Sequence, residues 1–142
     1  MQEQNFQNHT RLVTLYHKIT YPALLAILVG AGINLGNSSQ DNLYSASLIF
    51  ALAMVVSITL YYARGFALKA NDRAIRAEEN FRHFLLTSKP LPQGLKLSQI
   101  VALRFASDAE LPALAEQALA EKMGQKSIKA AIKNWKADYE RV

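Results

Sequence analysis

The sequence predicts an all-α membrane protein: a two-helix transmembrane hairpin with an extended second helix, then a small C-terminal three-helix cytoplasmic domain. Three observations carry that expectation. Two uncharged stretches, between Lys18 and Asp41 and between Asp41 and Arg64, each approach the roughly 20 apolar residues that cross about 30 Å of hydrocarbon. Charge is segregated from them. Residues 1–63 hold Arg11 and Lys18 against Glu3 and Asp41, whereas residues 64–142 hold fourteen Lys or Arg against nine Asp or Glu, the whole net charge of +5. Finally, a chain of 142 residues offers too little other mass to bury two such helices in a soluble core.

The organisation follows in order. Residues 1–18 form an N-terminal amphipathic segment, 19–63 the hairpin, 64–86 a cytoplasmic helix extension, 87–96 a linker and 97–142 a helical cytoplasmic domain. The start carries Glu3 and no cation before its first apolar run near residue 19. A cleavable signal peptide wants a basic start directly followed by an apolar core, so the first span is expected to be retained. In residues 10–18, Leu12, Leu15, Tyr16 and Ile19 share one side, with Thr10 as a cap; this suits a short helix lying on the membrane surface. Pro22 marks a bend into the first span, 19–35. The second span, 43–63, is full length. Tyr21, Tyr44, Tyr61 and Tyr62 stand at span ends, where amphipathic rings favour the headgroup level.

Between the spans lies GNSSQDN at 36–42, without a cation, while Arg11 and Lys18 precede the hairpin and Arg64, Lys69, Arg73 and Arg76 follow it. The positive-inside rule places both termini in the cytoplasm of a bacterial inner membrane. Helices in lipid associate through small residues. Ala26, Gly30, Gly32 and Gly36 supply such a strip on the first span, and Ser47 with Ala51 and Ala53 with Ser57 repeat the four-residue spacing on the second. These strips serve packing within the hairpin first, and an interface with another membrane protein second.

No breaker other than Gly65 separates the second span from residue 86, so one helix of roughly 65 Å is expected at about 1.5 Å per residue. Beyond the span, Phe66, Ala70, Ala74, Ala77, Phe81 and Phe84 form a stripe at three- and four-residue steps. It needs cover from the C-terminal domain or a partner. SKPLPQG at 88–94 ends the helix. Three short helices then follow. Ser98 caps the first, with Ile100, Val101 and Phe105 inward; Ser107 and Glu110 suggest a capping box for the second, whose face is Leu111, Leu114, Ala115, Ala118 and Leu119. Gly124 ends that helix, and the third carries Ile128, Ala131, Ile132, Trp135 and Tyr139 on one side. A unit of this size needs further support, and Trp135 is its natural anchor, in the core or at a partner.

Lys126, Lys129, Lys133 and Lys136 suggest a basic stripe on that third helix. A solvated face is the first reading, anionic lipid or protein the second. Nucleic acid is the least favoured, because the stripe has no arginine for bidentate base contacts. Catalytic and metal chemistry finds no anchor. The chain has no cysteine, no Gly-rich phosphate loop, no HExxH and no nucleophile elbow. His9 and His17 sit about 80° apart on a helix, too offset for a shared metal. No cofactor is expected. Neither span holds an ionisable side chain to build an ion pathway.

Four stretches, QNFQNHTR at 4–11, FALKANDRAIRAEE at 66–79, ALRFASDAELPAL at 102–114 and IKAAIKNWKADYERV at 128–142, resemble an uncharacterised family of short bacterial two-span membrane proteins. In that family the tryptophan is followed by one residue and then Pro-Asp; here Ala137 stands in place of the proline. The resemblance implies the two-span topology and supplies no catalytic or binding residues. The expected role is an accessory or scaffold subunit of a larger inner-membrane complex, its partners being lipid and other membrane subunits or itself. The alternative is a self-associating tether whose basic domain binds anionic lipid or nucleic acid.

Overall fold

A computed structural model describes residues 5–6 and 13–138. Among these the protein is all-helical: α1 (Tyr21–Gly36), α2 (Leu43–Thr87), α3 (Leu97–Leu103), α4 (Leu111–Ala120) and α5 (Gln125–Ala131). His9, Thr10, Leu12 and Tyr139 lie outside the described residues. Two compact units are built from residues 13–66 and from residues 5–6 with 67–138, α2 contributing to both.

In the first unit a π-helical turn, Leu15–Thr20, runs into α1 with Thr20 and Tyr21 both in the right-handed helical region. The expected bend at Pro22 is therefore absent. Proline lacks the N–H that would bond the carbonyl of Lys18, and its ring crowds that carbonyl. A widened turn, in which the Tyr21 N–H reaches Tyr16 O five residues back, absorbs the misfit without breaking the helix. At the other end the loop's small polar side chains cap α1: Asn37 Nδ2 donates to Ile33 O at 2.9 Å and Ser38 Oγ to Asn34 O at 2.6 Å. They satisfy carbonyls that have no partner within the helix.

α1 and α2 touch through small residues. A Cβ added at Gly32 would lie 3.5 Å from Phe50, and Ala31, Ala46 and Ala53 are the buried apolar residues here. Arg64 lies over the Tyr16 ring at 5.8 Å, and Tyr16 meets Tyr21 edge-on. Both helical stretches, Leu15–Gly36 and Leu43–Thr87, are long and apolar enough to cross a membrane; only 6% and 11% of their apolar windows is buried inside the protein.

The second unit has its core in Leu95, Ile100, Leu103, Leu111, Ala115 and Ile128, all buried. Buried Gln99 ties α3 to α4. Its Nε2 donates to Ala118 O (3.1 Å) and Met123 O (2.9 Å), while its Oε1 accepts the Lys96 N–H (2.7 Å). Lys96, not Ser98, is thus the residue at the start of α3. The capping box foreseen at Ser107 does not form, since Ser107 Oγ has no hydrogen-bond partner among the described residues. Glu110 instead receives the backbone and side-chain amides of Asn134 at 3.2 and 3.0 Å.

The third helix is shorter than its pattern suggested. α5 stops at Ala131, and Ile132 is already extended. Past it the chain pairs with the end of α3: the Lys136 N–H donates to Phe105 O at 2.8 Å and Ala106 bridges Trp135 antiparallel. The Trp135 ring stacks on fully buried Phe105 with centroids 4.6 Å apart. A stacked aromatic pair adds about 0.5–1.5 kcal/mol to area burial, which outweighs one more turn of helix at a lysine-rich end.

Lys122, not Gly124, terminates α4. It adopts φ +51°, with Met123 N–H on Ala118 O and Lys122 N–H on Leu119 O, the bonding of a Schellman cap whose left-handed position favours glycine. Gly124 begins α5. Lys122→Gly should therefore stabilise the protein by about 1 kcal/mol, relieving a left-handed non-glycine residue. A chemical-denaturation midpoint that fell, or failed to move, would show the cap is not under strain.

Candidate interaction surface

The residues of α2 past Phe66 have two faces of opposite chemistry. One carries Ile75, Glu79, Arg82 and His83; the other, about half a turn away at roughly 100° per residue, carries Ala70, Ala74, Ala77, Phe81, Phe84 and Leu85. Residues 88–96 and the α3–α4 connection lie against the first of these. Ile75, Glu79 and His83 are buried, whereas Phe81 is 62%, Phe84 49% and Leu85 67% exposed. The C-terminal domain was one expected cover for the phenylalanine stripe, and the bonds between α2 and the residues that follow it lie on the opposite face.

Polar anchoring explains the choice. Arg82 bonds Glu79 Oε2 through Nη1 (2.9 Å), Ala106 O through Nη2 (2.7 Å) and Asp108 Oδ1 through Nε (2.6 Å). Asn80 Oδ1 accepts the Leu91 N–H at 3.0 Å, and His83 Nδ1 lies 2.9 Å from Lys89 O. One guanidinium thereby bonds both its own helix and the α3–α4 connection. A planar fork with fixed donor directions does this where a lysine could not. Two acidic residues complete this clamp: Glu79 is buried against Arg82, and Asp108 answers Arg82 from the connection.

The other residues singled out in the sequence are scattered. Of the small strip, Gly32 lies at the α1–α2 contact, while Ala26, Gly30 and Gly36 are exposed and nothing approaches the two glycines within 4 Å. Phe66 is 62% exposed. Trp135 is half-buried on Phe105. The lysines do not make one stripe, because α5 ends before Lys133 and Lys136. Lys129 is buried with its ammonium 5.3 Å from the Phe105 centroid, while Lys126, Lys133 and Lys136 are exposed. An open groove of about 410 Å³ in the second unit is lined by Asn71, Glu78, Arg104, Lys136 and Asp138. Arg104 and Asp138 pair across it at 3.3 Å. In the second unit the α2 face bearing Phe81, Phe84 and Leu85 is left exposed.

The chain belongs to a family of unknown function (DUF6526), whose model matches residues 1–142. No curated protein and no solved structure matches it.

Two predictions follow from the two faces. Phe105→Ala should cost about 3–5 kcal/mol by emptying a packed core site, while Phe81→Ala should change stability by no more than about 0.5 kcal/mol. Equal losses in denaturant titrations would place Phe81 in a core instead. The clamp also has a pH signature. The Arg82 hydrogen bond and charge hold the Asp108 carboxyl below the usual carboxylate range. A depressed folded value means that its stabilisation is fully present above the unfolded value of about 3.9 and is lost as pH falls through the lower folded one. Asp108 is 66% exposed, so Asp108→Asn should lower stability at neutral pH by less than about 1 kcal/mol. It should also flatten the acid limb of the stability profile; an unchanged limb would remove Asp108 from the clamp.

Proposed function

We propose that this protein is a membrane-anchored, non-catalytic scaffold subunit of a larger bacterial inner-membrane assembly, with both termini in the cytoplasm. The observation that carries the reading is the uncovered apolar face of α2 past its apolar span, bearing Phe81, Phe84 and Leu85. Exposed apolar patches of this kind mark interaction sites.

The anchor is argued from what the helices leave open. A core helix of a soluble protein buries its apolar stretch, whereas here almost none of either window is buried, and lipid is the solvent that removes that cost. The orientation rests on the cations at Arg64, Lys69, Arg73 and Arg76 against a loop at 36–42 with none. A scaffold role suits a head held together by its own ion pairs, with its aromatic side turned outward. The broken lysine pattern leaves the basic-tether alternative without a single basic face.

The test is alkaline carbonate extraction of cells expressing the tagged chain, followed by gentle solubilisation and size-exclusion chromatography. The chain should remain with membranes and elute above its monomer size, and Phe81→Glu with Phe84→Glu should move it to the monomer position. The chain has no cysteine, so a single Ser39→Cys should label from outside intact spheroplasts and Ser127→Cys only after lysis. Release by carbonate, or reversed labelling, would sink the anchor; a monomer that the two substitutions do not change would sink the scaffold.

A further inference from the structure

The uncovered face has a finer pattern than apolarity. Ala67, Ala70, Ala74, Ala77, Phe81 and Phe84 follow one another at steps of three, four, three, four and three. Those are the steps of the a and d positions of a two-stranded seam, with a at 67, 74 and 81 and d at 70, 77 and 84. In that register Arg73 falls at g and Glu78 at the e position five residues on. In a parallel pair of helices, g of one chain faces that e of the other. Both residues are exposed, and neither makes a salt bridge among the described residues.

The geometry points to a second copy of this chain as the occupant of the face, docked parallel about a two-fold axis, with Arg73 of each copy on Glu78 of the other. The charge pattern chooses the partner and the direction together. An antiparallel copy sets g against g and e against e, so that Arg73 meets Arg73 or Asn80 while Glu78 meets Asn71, Leu85 or Glu78. That arrangement offers no opposite charge. The parallel copy satisfies both charges twice over. The membrane-anchored reading, on which this inference rests, imposes the same direction, since two copies inserted alike carry α2 parallel. The alanines at 67–77 allow close approach of the two backbones, and the phenylalanines at 81 and 84 fill the wider end.

Single cysteines test the face directly in the full-length chain in native membranes. Under mild oxidation, Ala70→Cys, Ala74→Cys and Ala77→Cys should each give a disulfide-linked dimer, and Lys69→Cys and Arg76→Cys on the outward c positions should not. Arg73→Glu alone and Glu78→Arg alone should each reduce the yield several-fold at position 77, and the two together should restore it. That rescue separates charge pairing from misfolding. Absence of dimer at the seam positions, equal dimer at all five, or failure of the double reversal would overturn the second copy as occupant. A chain that gives no seam dimer yet stays in carbonate-washed membranes, eluting with other stoichiometric subunits, would leave the scaffold reading standing. Release by carbonate would count against the anchor itself, whatever the cross-links.

Discussion

One guanidinium decides which side of α2 is covered. Arg82 reaches Glu79 on its own helix, and Ala106 O and Asp108 on the α3–α4 connection. The Arg82 side chain is 13% exposed, and a charge so far withdrawn from water needs its hydrogen bonds, whereas a phenylalanine left in water forfeits about 1.5–3 kcal/mol. The α3–α4 connection and residues 88–96 therefore sit where Ala106 O and Asp108 meet Arg82, Lys89 O meets His83, and the Leu91 N–H meets Asn80. The phenylalanines are left out as a consequence, and the exposed apolar face is a by-product of how the head is held.

The same ranking explains what was legible in the sequence. Periodicity located α2 past residue 64 and the apolar face of α4, where Leu111, Leu114, Ala115 and Ala118 are buried as their spacing implies. It also identified the phenylalanine stripe as one face. It could not say which face would be covered, because hydrophobic spacing reports what a helix would gain from burial, not what neighbour is available. Gln99 and Glu79 are buried for hydrogen-bonding reasons that have no period, and His83 likewise. The one available signal was the density of donors and acceptors at 78–83, within a helix otherwise rich in alanine.

Short helices were the other blind spot. α3 and α5 are seven residues each, too short for propensity to fix their ends, and tertiary bonds fixed them instead. Glu110, placed like a capping residue, was taken by Asn134; the run after Ala131, spaced like a helix, was taken by the stack of Trp135 on Phe105. The lysine stripe vanished with that helix, which is why a surface that looked basic in one dimension is divided in three. Lys122 shows the converse: nothing in a lysine announces a left-handed cap, and Gly124 two residues on was the misleading signal.

Energetics indicate where the α2 seam can form. Burying a phenylalanine side chain is worth about 1.5–3 kcal/mol, and four rings that begin half to two-thirds exposed would contribute about 3–6 kcal/mol in a pair of chains. Free association of two molecules costs about 4–15 kcal/mol in lost motion. In dilute solution the seam is marginal at best. Under the proposed anchoring, two copies of α2 held in one plane with their long axes aligned would have surrendered most of that motion beforehand, and confinement of this kind acts as a raised effective concentration. A short seam of alanine and two phenylalanines is then sufficient, and a longer or greasier one would be a hazard to a chain that must first emerge from the ribosome unpaired. The modest apolarity of the face thus suits the second copy proposed above only if both copies are anchored as proposed.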